Sequence, residues 1–262
     1  MTIGVNVDPN HPGAGPSADI LKQSGFEGVR LTAKPDAINV QYIADMLAAG
    51  LTVVGVVGTG DNQDFVPPDP RVILQIYNEP DAATGTTITA IEYADLFATW
   101  SNKPEIRDNS SVQRWTAGFA SGVYMYYLDF LEALRSRHPE VPMPDAVAIH
   151  PYEQDPDGLR RMAENYWLVG RAVTGAGIPV VATEWFQSVN PDLTAADDVI
   201  DPFQHALNDP DPQGVCTVWS SFFAWHDDQS DLPGGITNHA GVCLPEGIRL
   251  IAAIGGDSSW CG

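Results

Sequence analysis

The sequence predicts an α/β protein, a single-domain (β/α)8 barrel spanning residues 1–262. Three observations carry that expectation. Eight short apolar runs alternate with segments of helical periodicity, the order that a parallel barrel requires. No linker, composition break or repeat beyond that βα rhythm divides the chain. A doubly wound sheet would need fewer strands and a phosphate-binding loop, and the chain has neither a GxGxxG nor a Walker-type lysine motif.

Taken in order, Ile3 to Val7 reads as the first strand, followed by the turn chemistry of Asp8-Pro9-Asn10-His11-Pro12-Gly13. Ser17 to Ser24 fits a short helix with Ser17 as N-cap and Gly25 past its end. Phe26 to Leu31 is the second strand and carries Arg30 near its exit. Pro35 to Ala49 is a helix opened by its proline, with Ile38, Tyr42, Ile43, Met46 and Leu47 as the apolar stripe and Gly50 as C-cap. Leu51 to Val57 is the third strand. Residues 58–70 are too few and too rich in Pro and Asp for a full crossover, so the third helix is abbreviated.

Val72 to Tyr77 is the fourth strand, and Pro80 stops it because proline cannot continue a central ladder. Ile88 to Trp100 is an amphipathic helix on which Ile91, Ala94, Asp95 and Ala98 recur by turns. Val112 to Phe119 is the fifth strand, Tyr124 to His138 a helix, and Ala146 to His150 the sixth strand. Gly158 to Ala176 is helical, closed by Gly175 and Gly177, and Ile178 to Thr183 is the seventh strand. Thr194 to Leu207 is helical, Val215 to Trp219 is the eighth strand, and Ile248 to Ile254 is a short closing helix.

Hydrophobic residues make up 44% of the chain, enough for a sizeable core, and the 18% of charged residues is too low for disorder. Thirteen Lys+Arg against 34 Asp+Glu give a net charge of −21, a surface that repels nucleic acid, anionic membranes and polyanionic substrates. No run of apolar residues is long enough to span a membrane. The N-terminal residues lack the basic and apolar regions of a signal peptide, so the expectation is a cytoplasmic protein, or an extracellular one if the chain is a mature or excised domain. Cys216, Cys243 and Cys261 allow at most one disulfide. Cys216 lies in an apparent buried strand, which favours Cys243 with Cys261; three reduced thiols are the other arrangement. No Cys/His spacing suggests zinc, and no metal or cofactor is expected. His226-Asp227-Asp228 reads as a solvated acidic turn.

The chemistry concentrates in two carboxylates. Glu79, in Tyr77-Asn78-Glu79-Pro80, leaves the fourth strand and Glu184, in Thr183-Glu184-Trp185, leaves the seventh. In a parallel barrel both ends face the same cup, where such folds hold their active sites. Two carboxylates about 5–5.5 Å apart can cleave a glycoside by double displacement, one attacking the anomeric carbon and one protonating the departing oxygen.

On these residues the sequence resembles clan A, the four-seven superfamily of retaining glycoside hydrolases built on the TIM barrel. In that clan the acid/base follows an Asn at the end of strand four, matching Asn78-Glu79, and the nucleophile ends strand seven after a Thr or Ser, matching Thr183-Glu184. The resemblance implies that Asn78 binds the sugar 2-hydroxyl and that Arg30 lies beside Glu184 and keeps it ionised. It implies that Tyr152 or His150, ending strand six, hydrogen-bonds beside the nucleophile, with His150 equally readable as a satisfied core histidine, and that Trp219 forms an aromatic floor under the scissile sugar, with Trp185 a further platform or packing. Trp225 is a platform or packing, whereas Tyr124, Tyr126, Tyr127, Tyr166 and Trp167 read as core or helix-face packing. Gly58-Thr59-Gly60 departs from the pattern by lacking the strand-three histidine of some families. The short chain is similar to the compact β-1,3-glucanase families, with short xylosidase-like and cellulase-like families as alternatives. The implied activity is retaining hydrolysis of a neutral β-linked oligo- or polysaccharide. A glycan-binding barrel without hydrolysis, or a transglycosylase using the same residues, are the rival readings.

Overall fold

The computed structural model describes residues 2–10, 15–62, 64–81, 88–120, 124–150, 156–185, 217–222, 236–237 and 243–261. Its strands are β1 (Thr2–Asn6), β2 (Gly28–Thr32), β3 (Thr52–Val57), β4 (Ile73–Ile76), β5 (Arg114–Trp115), β6 (Val147–Ile149), β7 (Val180–Trp185) and β8 (Thr217–Phe222). They form one eight-stranded sheet in the order β5-β4-β3-β2-β1-β8-β7-β6, and every pairing in it is parallel. The ladder of strands is open between β5 and β6. Isolated parallel bridges, Trp115 to Ala146 and Phe119 to Ile149, cross between those two edges.

The helices are α1 (Ala18–Gln23), α2 (Ala37–Ala48), α3 (Ala90–Ser101), α4 (Pro104–Arg107), α5 (Tyr124–Arg137), α6 (Pro156–Thr174) and α7 (Pro245–Ala253). Caps explain several boundaries. Ser17 accepts from the Ile20 amide to start α1, as its sequence position predicts. α2 starts after Pro35, because Asp36 is the residue whose side chain accepts from the Asn39 amide. Thr89 and Glu92 form a reciprocal capping box that opens α3. The single turn α4, opened by Pro104, was not expected from the sequence. The helix expected over 194–207 lies outside the described residues.

Between β3 and β4 the described residues hold only a 3-10 turn, Gly60–Asn62, so this crossover is abbreviated as expected. A single buried side chain closes it. Asn62 donates through Nδ2 to Ala33 O (2.7 Å) and Val56 O (2.9 Å), while its Oδ1 accepts from the Thr59 amide (2.8 Å). An Asn can cap strand ends this way because it carries both donors and an acceptor.

The expected stripes hold at Ile43, Met46 and Leu47 on α2 and at Ala94 and Ala98 on α3, and each fails at its first residue. Ile38 on α2 is 59% exposed and Ile91 on α3 is 50% exposed. The faces turned inward carry Asn39, Ile43, Met46 and Leu47 on α2, and Ala90, Tyr93, Ala94, Phe97 and Ala98 on α3. On α2 Ile38 is displaced because a polar side chain, Asn39, holds the inward position by donating to Thr32 O and accepting from the Lys34 amide. β8 also differs from expectation. It runs on through Ser220 and Ser221 to Phe222, so Trp219 is not its last residue and its backbone lies opposite Thr2 at the start of β1. Serines mimic a loop in sequence, yet here they continue the ladder.

The core gathers around the short middle strands. Tyr93, Phe97, Phe119, Tyr127, Phe130 and Tyr166 are all fully buried, and the Tyr93 and Phe130 rings lie 4.7 Å apart. The packing role expected for Tyr127 and Tyr166 is thus met. Side chains replace ladder bonds where β5 ends. Tyr93 Oη donates to Ile76 O (2.9 Å) and accepts from the Ala117 amide (2.6 Å), and the Thr116 hydroxyl accepts from the Ala148 amide (2.9 Å). Burial pushes the Tyr93 phenol well above its usual pKa, which preserves the proton it donates.

The C-terminal tail is fastened to α1 and to residue 243. Trp260 Nε1 donates to Ser24 Oγ (2.9 Å), Gln23 Nε2 donates to Asp257 Oδ2 (3.0 Å), and Cys243 is bonded to Cys261. Among the described residues no helix is long and apolar enough to cross a membrane.

The seam and the tail each make a stability prediction. Tyr93→Phe removes both seam hydrogen bonds and strands a buried carbonyl and amide, so urea unfolding should show a loss of about 2–4 kcal/mol. A loss under about 0.5 kcal/mol would mean that the seam has other support. The 18-residue separation of Cys243 and Cys261 implies that Cys261→Ser should cost about 3 kcal/mol in thermal or denaturant unfolding. Equal stability of the oxidised and reduced wild-type protein would contradict that estimate.

Candidate active site

The site is organised by Arg30, which is level with Asn6 of β1 in the strand register and is 5% exposed. Each of its three guanidinium nitrogens is engaged. Nε donates to Gln75 Oε1 (2.7 Å), Nη1 to Asn6 Oδ1 (2.9 Å) and to Glu184 Oε1 (2.6 Å), and Nη2 to Asn78 Oδ1 (2.8 Å). One cation from β2 therefore ties together β1, β4, the turn after β4, and β7. Asn6 reaches β7 as well, its Nδ2 donating to Thr183 O (3.2 Å).

Glu79 is set by an unusual backbone. Tyr77 (φ 73°) and Glu79 (φ 46°) both take left-handed conformations that cost a non-glycine residue roughly 1–3 kcal/mol each. The turn is held by the Tyr77 amide on Val57 O (2.8 Å), the Glu79 amide on Gly118 O (3.1 Å) and Gln75 Nε2 on Tyr77 O (3.2 Å). Just beyond it, Asp81 Oδ1 accepts from the Ala120 amide (3.1 Å), which ties the exit of β4 to the segment after β5.

His150, directly after β6 and fully buried, stands between the two carboxylates. Its Nδ1 lies 2.7 Å from Glu79 Oε1, and its Nε2 lies 3.1 Å from Thr183 Oγ1 and 3.7 Å from Glu184 Oε1. Gly118 makes room for the ring, since a Cβ there would overlap His150 Nε2. One carboxylate oxygen of Glu79, one of Glu184 and one ring nitrogen of His150 all lie within 4.8 Å of one another. Oxygens this close suit one carboxyl that attacks a carbon and one that hands a proton to the group leaving it; an inverting pair stands roughly 6.5–9.5 Å apart to admit a water.

Two carboxylates and an imidazole are also a metal-ligand type of set. Here their atoms already serve each other. Glu184 Oε1 receives the Arg30 guanidinium and His150 Nδ1 faces Glu79, so a divalent ion would sit beside a buried cation and be repelled by it.

Of the residues singled out from sequence, the fold brings Arg30, Asn78, Glu79, His150 and Glu184 into one network. Tyr152 and Trp225 lie outside the described residues. For Trp185 and Trp219 the backbone belongs to β7 and β8, and their side chains lie outside what is described. Sequence reasoning missed Asn6, Gln75, Gly118 and the Thr183 hydroxyl. Gln75 did leave a signal, a polar residue within the apolar run Val72-Ile73-Leu74-Gln75-Ile76, fully buried in the fold. Gly118 left none.

The packing of Gly118 on His150 can be tested directly. Gly118→Ala should push the imidazole away from Glu79, changing the His150 ring-nitrogen resonances in NMR while the fold is kept. Unchanged resonances would show that the ring tolerates a methyl group there.

No protein-family model matches the sequence, and no curated protein matches it by sequence. Solved structures do match in fold. A GH39 enzyme from Xanthomonas axonopodis pv. citri aligns with a TM-score of 0.62 at 14% identity over 97% of this chain, which spans 65% of that protein. A monomeric beta-xylosidase from Caulobacter crescentus CB15 aligns with a TM-score of 0.69 at 14% identity, over 97% of this chain and 67% of that one. A GH128 (subgroup I) endo-beta-1,3-glucanase from Amycolatopsis mediterranei, solved as a point mutant in complex with laminarihexaose, aligns with a TM-score of 0.63 at 15% identity. That alignment covers 96% of this chain and 98% of the glucanase. The structure thus matches GH39 and GH128 glycoside hydrolases of clan GH-A in fold, and matches compact GH128 β-1,3-glucanases over nearly their full length.

Proposed function

We propose that this protein is a retaining β-glycoside hydrolase acting on a neutral β-linked glycan, with Glu184 as nucleophile and Glu79 as general acid/base. The observation that carries this reading is the pair of carboxylates at the exits of β4 and β7, gathered with His150 within 4.8 Å and distinguished by one buried cation. Arg30 touches Glu184 and not Glu79, and a cation at contact distance favours the charged form of a carboxylate. Glu184 is therefore the anion that attacks. Glu79 faces an imidazole and is the more exposed of the two, 27% against 11% for Glu184, so it is the carboxyl that solvent reaches.

In the first step Glu184 Oε attacks the anomeric carbon, the glycosidic C–O bond breaks, and Glu79 gives its proton to the departing oxygen. In the second, Glu79 takes a proton from water, and that oxygen displaces the Glu184 carboxylate from the sugar with overall retention. Asn78 is the residue assigned to the sugar 2-hydroxyl, and His150 holds Glu79 in place. The parallel bridges between β5 and β6 are read as the seam of a closed (β/α)8 barrel, with both acids in its cup.

The full-length fold match to GH128 enzymes favours a β-1,3-glucan among neutral substrates, and the net charge of −21 disfavours polyanionic ones. The Cys243–Cys261 bond favours an oxidising, extracytoplasmic setting. The rival reading, glycan binding without hydrolysis, predicts affinity with no turnover across a panel of aryl β-glycosides and β-glucans. Transglycosylation by the same residues would appear as longer products at high acceptor concentration.

Azide separates the two glutamates. Glu79→Ala should retain glycosylation with an activated aryl leaving group and show a burst of aryl release. Azide needs no general base, so it should restore turnover and yield the β-glycosyl azide. Glu184→Ala forms no covalent intermediate, and azide should enter from the opposite face to yield the α-glycosyl azide. One anomer from both variants would refute the division of roles. Arg30→Met should lower kcat/KM by about two orders of magnitude, the scale of losing a preorganised electrostatic contact; near-normal kinetics would remove Arg30 from the site.

A further inference from the structure

Gln75 lies within β4, fully buried, and no step of the proposed reaction uses it. Its contacts nevertheless impose one hydrogen-bonding sense on the site. Arg30 has donors and no acceptor, so the Gln75 atom 2.7 Å from Arg30 Nε must be the carbonyl oxygen. The other end of the amide is then the NH2 group, and it donates to Tyr77 O and Asn78 Oδ1, each at 3.2 Å. The Asn78 atom that meets both this NH2 group and Arg30 Nη2 (2.8 Å) faces two donors, so it too must be a carbonyl oxygen. Each amide is oriented by the one before it, and the sequence starts from a group that cannot be reversed.

The outcome concerns Asn78. With Oδ1 taken by two donors, Nδ2 is the end left without a partner among the described residues, on a side chain that is half-buried beside Glu79. Resting on the hydrolase reading above, we propose that Gln75 is a positioning residue that fixes Asn78 as a hydrogen-bond donor to the substrate. The site then selects a sugar carrying an acceptor oxygen at that position. Gln75 also anchors the left-handed Tyr77 through the Tyr77 carbonyl, so one amide sets both the backbone turn and the polarity of the group it presents.

A glutamate at this position would keep the acceptor for Arg30 Nε. Its second oxygen, however, would face Tyr77 O and Asn78 Oδ1 with no proton to share. Its charge would also draw Arg30 away from Glu184. A protonated carboxyl would regain one donor.

The kinetic test compares an aryl β-glucoside with its 2-deoxy analogue. The wild-type protein should favour the 2-hydroxy substrate in kcat/KM by at least about tenfold, as sites built to hydrogen-bond a hydroxyl do. Gln75→Glu should lose most of that ratio at neutral pH and recover part of it as pH falls and the new carboxyl takes up a proton. Gln75→Met should lose the ratio at every pH. A preserved ratio in either folded variant overturns the proposal. The second test needs no activity or ligand. With side-chain amides assigned through Gln75→Glu and Asn78→Asp, the Gln75 amide protons of the wild-type protein should exchange with deuterium at least about tenfold more slowly than those of Asn78, because they are buried and bonded. The reverse order overturns the orientation. A wild type inert on all glycosides, with the expected exchange order, would sink the hydrolase reading and the claim of substrate selection, leaving only the amide geometry.

Discussion

The contact between Arg30 and Glu184 is the constraint on which the remaining site depends. Both groups are removed from water, so each guanidinium nitrogen needs a partner or its burial becomes costly. Asn6, Gln75 and Asn78 supply those partners with neutral oxygens, which leaves Glu184 as the anion in direct contact with the cation. Breaking a buried pair of this kind typically costs about 3–5 kcal/mol, because it leaves an uncompensated charge. The same arrangement orders four chain segments around one point, so electrostatics and architecture are settled by a single side chain.

A second constraint is the backbone after β4. Two left-handed residues in three positions are unfavourable, and they persist because β3, the segment after β5 and Gln75 each hold part of the turn. The turn carries Asn78 and Glu79 away from the ladder just where Arg30 and His150 wait for them. Strain concentrated at these two residues, with support drawn from neighbouring strands, is how the fold aims a carboxylate from a short turn.

The region from β4 to β6 shows a related economy. β5 is too short to satisfy its neighbours by backbone alone, so the Tyr93 phenol and the Thr116 hydroxyl complete the pattern from within the core. His150 leaves β6 directly beside this seam, with its amide bound to Phe119 O (2.9 Å) and its ring against Gly118. Stability of the seam and placement of the imidazole are therefore linked, and weakening one should loosen the other.

The sequence by itself determined the alternation of strands and helices, the abbreviated crossover after β3, and the two glutamates at strand ends. Those features are local: apolar runs, Pro80 as a stop, and Asp- and Pro-rich residues where a helix cannot form. The resemblance to clan A also marked Arg30, Asn78 and His150 near their strand exits. Tertiary structure alone decided the inward turn of Asn39 over Ile38, the extension of β8 past Trp219, and the roles of Asn6, Gln75, Gly118 and the Thr183 hydroxyl. Asn39 turns toward Thr32 and Lys34, seven and five residues before it, whereas the others depend on partners far away in sequence. Gln75 meets Arg30 across 45 positions and His150 meets Glu79 across 71, and no periodicity or spacing encodes such pairs. They are set when the strands align, because a buried donor must then find an acceptor wherever the sheet brings one.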